Sequence, residues 1–496
     1  MKKLTTMLLL LTLLVPSLIA CSSGDDGNSV ADTTAAGGEV TTAAETEAVD
    51  PNSVLEIPEG ASYDGYEFKV FTYVPGSEST ESGYSQIRNY SPIVAEEENG
   101  EAINDAVYKR NRTVEEKLNI KFSSIIAAKG QMTPTIVKEV QAGDTAYDVA
   151  FQMIRAAQNT GTEGYLVKIN DIDTVHLEKD WWDKAIQEGA AINGALYAAT
   201  SDATIEDKEG LLVMFYNEKV SEDHGMEDIY KTINDGKWTF DDMLERCAMV
   251  TKDINGDGVI NQHDACGTGT NFSWAITHLN GFGMRYAYLK DGEPVSGFED
   301  EKMITAIERI AKFMNDTTYT VLSTIEGGWG TYTKMFMDNR MLIRCGGFYN
   351  TPAFREMDSE FSIIPLPKYD ENQEEYHSGT SPHASYGFVI PVTNPDLDRT
   401  GVVMETMSYY STDTVLSAYV DITLEGKIAR NEESIAMMHK IIDSAFYDIG
   451  YVYNWAGIEK VMQNSIKGGD SQFVSAYAGV RDQYLSEMAA TYELYK

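Results

Sequence analysis

Between residues 66 and 153 the apolar pattern swings repeatedly between a period of two and a period of 3.6, and this constrains the fold more than any other feature. "YEFKVFTYV" (66–74) alternates and is rich in aromatic and β-branched residues, as strands are. "NDAVYKRNRTVEEKLNIKFS" (104–123) carries an apolar stripe at helical spacing and runs into a second strand. "TPTIVKEVQAGDTAYDVAFQM" (133–153) repeats the move, a helix and then the buried strand "YDVAFQM". Strands separated by helices are joined by crossovers, so the expected product is an α/β fold with a mostly parallel sheet.

The pattern continues. "EGLLVMFYNEKVSED" (209–223) reads as a buried strand leading into a helix, and "WTFDDMLERCAMVTK" (238–252) as a helix with Thr239 as N-cap and Asp242 in its first turn. "KMITAIERIAKFMND" (302–316) is helical, "YTKMFMDNRMLIRCGGFYN" (332–350) is helix, turn and strand, and "FSIIPLPKYDENQEEYHSGTSPHASYGFVIPVTN" (361–394) is strand, hairpin and strand. From 400 onward the pattern is helical. A body of about 435 residues exceeds one ordinary core, so two lobes are expected.

The N-terminus has a different chemistry. "MKK" is followed by the apolar "LTTMLLLLTLLVPSLIA", and Leu18-Ile19-Ala20-Cys21 matches a bacterial lipobox. Residues 1–20 are therefore expected to be a lipoprotein signal peptide, leaving Cys21 as the lipidated N-terminus. Acyl chains would hold it to the membrane at about 0.8 kcal/mol per buried CH₂. The following stretch is Ser, Thr, Ala, Gly, Asp and Glu, with little to bury, so 21–60 reads as a disordered tether. The expected location is the extracytoplasmic face of a cell membrane, that of a Gram-positive cell. A formal charge of −38 argues against nucleic acid or anionic lipid as partner.

Residues 253–264 read D-x-N-x-D-G-V-I-N-x-x-D, a calcium loop. Asp253, Asn255 and Asp257 supply side-chain oxygens at positions 1, 3 and 5, and Gly258 permits the turn. Val259 would offer its carbonyl, Asn261 would ligate directly or through water, and Asp264 closes the loop with a shorter arm than the usual Glu. One loop without a partner loop suggests a structural calcium ion rather than a sensor. Cys247 and Cys266 flank the loop, and two readings stay open, a bridge or buried free thiols; Cys345 is a further thiol. No G-x-S-x-G, H-E-x-x-H, P-loop or C-x-x-C is present, and the seven His share no metal spacing, so no enzyme is expected.

Six segments, in order, carry a resemblance. "LVMFYNEKVSED", "WTFDDMLERCAMVT", "MFMDNRMLIRCGGFYN", "FSIIPLPK", "YGFVIPVTNPDLD" and "WAGIEKVMQNSIKGG" together resemble the extracellular solute-binding protein family 1, the maltose-binding-like receptors of ABC importers. The resemblance implies a two-lobed, type II periplasmic-binding-protein-like fold with a ligand cleft between lobes that close about a hinge. Mapped by segment, lobe one is 62–200 plus 365–388 and lobe two is 205–362 plus 392–496, with crossings near 200–205, 362–366 and 387–391. It further implies a carbohydrate ligand, in particular an oligosaccharide, ABC permease subunits as partners and a monomer. The same fold binding a peptide or polyamine is the alternative.

Sugar clefts stack pyranose faces on aromatic rings and orient hydroxyls with polar groups. By resemblance Trp455, on the late helix, is the first cleft aromatic, with a core Trp as the other reading. Phe348 and Tyr349 follow the Gly-Gly bend in the turn that faces the cleft. Gln152 and Arg155 lie at the carboxyl end of a parallel strand, where open α/β sheets bind ligands. Asp202 sits at the first crossing, as hydroxyl ligand or hinge cap. Trp274 and Trp329 lie in loop-like stretches, and Trp181-Trp182 reads as a staple at a helix start.

Overall fold

The structure is a computed structural model; it describes residues 50–73, 91, 93–128, 130–144, 146–322, 328–355, 357–420, 432–467 and 472–495, with the backbone alone at 322, 328 and 329. Cys21, the signal segment and the tether as far as 49 lie outside these residues.

Two sheets organise the body. In the first, the order is Tyr386–Val389, Val149–Met153, Tyr66–Thr72, Ile120–Ile126. Tyr66–Thr72 runs parallel to both neighbours, pairing Val70 with Ser124 on one side and with Val149 on the other. Tyr386–Val389 joins antiparallel at the edge, Phe388 opposite Phe151. The expected strand–helix–strand alternation is therefore built as read, with helices Ala102–Leu118 and Met132–Ala142 as the crossovers. Each helix ends on a left-handed residue, Asn119 and Gly143, whose N–H returns to the last turn.

The second sheet has the order Phe361–Ile364, Leu212–Asn217, Met341–Gly347, Cys266–Thr270, Thr320–Leu322. It is mixed rather than mostly parallel: Leu212–Asn217 is antiparallel to both its neighbours. All six residues of that strand are buried, as its unbroken apolar run requires. Helix Phe240–Val250 packs on this sheet. Its Thr239 hydroxyl accepts from the Asp242 N–H at 3.3 Å, the cap expected from sequence.

The lobes divide differently from the expected boundaries. Residues 365–380 stay with the second sheet: Lys368 and Trp238 bond through their backbones, and the Tyr376 hydroxyl donates to the Ile233 carbonyl at 3.1 Å. The second crossing thus falls after Thr380, not near 362–366. Helix Leu397–Ser411 packs on helix Ala102–Leu118, and so belongs to lobe one rather than lobe two. Chain from Glu432 returns to lobe two, where helix Glu432–Asp443 lies on strand Phe361–Ile364. The apolar period is blind to this, because a helix shows the same stripe whichever sheet it covers.

The tether also ends earlier than expected. Lys179, 3% exposed, donates to the Pro51 carbonyl and the Glu56 carboxylate at 2.9 and 2.6 Å, and Leu55 and Ile57 pack on the core. Residues 50–57 are thus attached to lobe one. Cys247, Cys266 and Cys345 are free buried thiols, so the bridged reading is not the one adopted. Trp182 precedes Asp183, which caps helix Lys184–Gly189. Both indoles also donate to one buried carboxylate, Trp181 Nε1 to Glu405 Oε1 at 3.1 Å and Trp182 Nε1 to Oε2 at 2.9 Å. Burial pushes the Glu405 carboxyl up to about 7, against the pull of those donors.

Candidate functional site

The first crossing runs past Gly210 and the second past Ser381, and they pair: Ser381 N–H donates to the Gly210 carbonyl at 2.9 Å, and Leu211 bridges Thr380 antiparallel. A cavity of about 270 Å³ lies against this pair, where the lobes meet, with Arg155 of lobe one just behind its wall. Ser381 and His383 line it from the second crossing, and Leu212 from the first strand of lobe two. Trp274, Thr277, Tyr349, Tyr451 and Glu459 close it from other elements of lobe two and the C-terminal region.

Local structure places each of these. Strand Cys266–Thr270 ends at Asn271, whose side chain accepts from the Ser273 N–H and turns the chain so that Trp274 faces the cavity. Tyr349 follows Gly347, where a Cβ would lie 2.5 Å from the Tyr349 ring, so that position requires glycine. Helix Ile449–Tyr453 is capped by Asp448, whose carboxylate accepts from Gly450 and Tyr451 N–H groups; this fixes Tyr451. The same carboxylate takes the Tyr286 N–H at 2.6 Å, which ties the helix to lobe two.

Glu459 anchors the charge in the cavity. Arg155 Nη1 donates to its Oε2 at 2.6 Å, and His383 Nε2 lies 3.4 Å from the same oxygen. Burial pushes the Glu459 carboxyl up, but His383 and Arg155 outweigh it and hold it down at about 2. Arg155 also donates to the Tyr451 carbonyl and lies over the Tyr451 ring, 4.8 Å from its centroid. Arg155 stands on lobe one, at the start of helix Ile154–Thr162 just after strand Val149–Met153, so this ion pair ties lobe one to helix Ile458–Ser465. The result is a small cavity with three aromatic rings, Ser and Thr hydroxyls, and a carboxylate already neutralised.

No family model matches the sequence, and no curated protein sequence matches it either. Solved structures do match in fold. An ABC substrate-binding protein from Listeria monocytogenes in complex with cycloalternan aligns at a TM-score of 0.55 and 12% identity, over 86% of this chain and 100% of its own. A cyclo/maltodextrin-binding protein complexed with maltotetraose aligns at 0.56 and 12%, over 86% and 98%. A family 1 extracellular solute-binding protein from Bifidobacterium longum subsp. infantis aligns at 0.52 and 14%, over 86% and 100%. The chain has the fold of the family 1 extracellular solute-binding proteins.

Within that solute-binding fold the expected site residues separate. Trp274 and Tyr349 line the cavity, and Arg155 stands behind it, holding Glu459. Phe348, 1% exposed, packs in the lobe-two core. Gln152 is fully buried and points into lobe one, its Nε2 donating to Thr133 Oγ1 at 2.6 Å. Asp202 accepts from Thr412 Oγ1 at 2.6 Å and faces a different cavity. The Trp329 side chain lies outside the described residues.

Trp455 does not line the cavity. It stacks on Tyr453 with centroids 5.3 Å apart and donates through Nε1 to Thr491 Oγ1 at 2.8 Å. Asn454, Ala456 and Gly457 are all left-handed, with φ of 52°, 52° and 64°. That kink turns the indole onto helix Phe473–Glu493, and Asn454 Oδ1 caps the next helix at the Glu459 N–H. Sequence reading missed Glu459, Tyr451, His383 and Ser381. Glu459 follows Trp455 by four residues in "WAGIEK", but nothing local shows which of the two reaches the cavity.

The 253–264 loop folds around its own acids. Asp253 accepts from Gly256 and Gly258 N–H groups, Asn255 from Asp257, Asp257 from Val259, and Asn261 from His263. Asp264 accepts from Ile254 and Asn261 N–H groups at 2.9 Å each; burial opposes these bonds, yet they hold its carboxyl below the usual range. Lys252 and Ala265 pair at the base of the loop. Among the described residues no three His, Cys, Asp or Glu side chains converge on one metal-sized point. The expected set includes only three acids; its other donors are Asn amides and a carbonyl, as calcium accepts.

Proposed function

We propose that this chain is the substrate-binding subunit of an ABC importer for carbohydrate, an oligosaccharide in particular. The observation that carries the reading is the interlobe cavity, in which Trp274, Tyr349 and Tyr451 rings stand beside Ser381, Thr277 and the neutralised Glu459. Rings give a pyranose its apolar contact, and fixed hydroxyls and a carboxylate orient sugar hydroxyls. Structures of the same fold in complex with cycloalternan and with maltotetraose support the ligand class.

Function here is closure without covalent chemistry. Ligand bound to one lobe favours the state in which both lobes touch it, by its differential affinity for that state. Glu459 held at about 2 is an ion-pair partner, too acidic to serve as a general acid near neutrality. The closed receptor would dock on the permease subunits. Lipidation at Cys21 would hold a monomer to the outer face of the cell membrane, and no helix among the described residues is long and apolar enough to cross one. The loop donors Asp253, Asn255, Asp257, Val259, Asn261 and Asp264 would hold a structural calcium ion that joins helix Phe240–Val250 to strand Cys266–Thr270.

Thermal melting tests both parts. The chain from Asp50 onward is melted with a panel of oligosaccharides, with and without EDTA. A rise with one glycan class supports the importer reading, since a ligand of the native state raises stability by mass action. No rise with any sugar, and a rise with a peptide or polyamine cleared by Trp274→Ala, turns the reading to a non-sugar solute. An unchanged melting temperature in EDTA removes the calcium.

A further inference from the structure

A second cavity lies on the other face of the crossing pair. Leu211 and Thr380 line it, whereas their chain neighbours Leu212 and Ser381 line the interlobe cavity. Successive residues of an extended chain point to opposite faces, so the paired crossings separate the two cavities. The second measures about 250 Å³ and draws its walls from both lobes: Asp180, Trp182 and Asp183 from lobe one, Ile442 and Ala445 from lobe two.

Its charge is unbalanced. Asp180, Asp183, Asp202 and Asp207 face it, and of its two lysines Lys184 is engaged elsewhere, donating to the Leu177 and Lys179 carbonyls. Lys208 alone pairs with an acid of the cavity, Asp207 Oδ2, at 3.0 Å. Asp183 takes the Ala185 N–H and the Thr200 hydroxyl, and Asp202 takes the Thr412 hydroxyl. Asp207 Oδ1 has no hydrogen-bond partner, although the residue is only 4% exposed. Burial, opposed by Lys208 and reinforced by the adjacent Asp183 charge, pushes Asp207 well above the usual carboxylate range, and burial pushes Asp202 up as well. A buried carboxylate oxygen with no donor is costly, and a cation or a proton must meet it.

We propose that this cavity is a binding site for a small primary-amine cation. An ammonium offers three donors, one of which meets Asp207 Oδ1. Trp182, Leu211, Ile442 and Ala445 give an alkyl stem its apolar walls. Exposed Asp180 stands at the rim, where it attracts the incoming charge. The volume is several times the ~30 Å³ that a water takes in the liquid, so a short alkyl diamine fits. A bare metal ion suits the site less, because no three acidic side chains among the described residues converge on one point. The proposal is independent of the sugar reading and concerns a separate surface of the molecule.

The test is calorimetric titration of the full mature chain with 1,4-diaminobutane, beside sodium chloride at matched ionic strength. Saturable binding is expected, weakened at least tenfold in both Asp207→Asn and Asp202→Asn and unchanged in Trp274→Ala. Saturation-transfer NMR on the same variants reads contact with the alkyl stem, and their melting curves confirm that each is folded. Equal heats in sodium chloride, or binding unchanged in folded Asp207→Asn and Asp202→Asn, overturn the proposal. Binding lost in Trp274→Ala overturns it too, since the diamine would then occupy the interlobe cavity. Absence of binding to wild type leaves a proton shared by Asp183 and Asp207 as the occupant, and also overturns it.

Discussion

The two faces of the crossing pair treat carboxylates in opposite ways. In front, Glu459 is met by Arg155 and His383 and held down at about 2. Behind, Asp207 has one lysine for one oxygen and nothing for the other, and its carboxyl is pushed well up. Glu459 keeps 18% of its side-chain exposure and Asp207 almost none, but burial pushes both carboxyls up, so burial alone does not decide the outcome. Partners decide it: a charge in a low-dielectric site persists only where fixed donors replace the lost water. The front is thus pre-organised, its charge spent internally and its rings and hydroxyls left uncommitted, as the proposed sugar ligand requires. The back retains an unmet demand for positive charge.

The largest effect expected concerns Trp455. Trp455→Ala should lower stability by about 3–5 kcal/mol, as for other large-to-small core changes, with sugar affinity intact. Denaturant unfolding beside a binding titration checks this. A lost affinity with unchanged stability would move Trp455 into the ligand site. Next comes the ion pair across the lobes. Arg155→Ala strands a largely buried carboxylate and should cost about 2 kcal/mol, less than a fully buried pair because both side chains keep some exposure. If Arg155→Ala melts like wild type, the front is no better neutralised than the back.

Trp274→Ala should weaken sugar binding by about 1–2 kcal/mol, roughly tenfold, with little change in melting temperature of the unliganded chain. The smallest effect belongs to Glu405, whose folded carboxyl is pushed by burial to about 7 from the ordinary Glu value of 4.5. The folded state therefore holds the proton more tightly. Stability from this group is full below about 4.5 and is lost as pH rises through about 7. Unfolding free energies of wild type and Glu405→Gln, read by denaturant titration between pH 5 and 8.5, should diverge by an amount on the order of 1 kcal/mol, with wild type falling more steeply.

Much of the fold was legible in the sequence because it rests on local periodicity. Strand Val149–Met153 and the crossovers beside it follow from alternation and helical stripes, and Thr239 caps its helix as its position suggests. Lobe membership was less legible. Helix Leu397–Ser411 shows a pattern compatible with either sheet, and only tertiary packing assigns it to lobe one. The candidate site divides the same way. Trp274 and Tyr349 reach the cavity because each follows a strand end, a position readable from sequence. Trp455 fails because three left-handed residues around it, Asn454, Ala456 and Gly457, re-aim it; Ala456 gives no hint of such a conformation. His383 and Glu459 are 76 residues apart and meet only through the fold.

The three thiols carry a practical consequence. From Asp50 onward Cys247, Cys266 and Cys345 are the sole cysteines, all are buried, and burial pushes each thiol up, Cys345 to about 11. Alkylating reagents attack thiolate that they can reach, and these sulfurs offer neither thiolate nor access. One exposed cysteine introduced on each lobe would therefore take a fluorophore pair without replacing any native residue inside. The folded chain would then serve as an optical gauge, in which the distance between two dyes tests the proposed opening and closing of the lobes in real time.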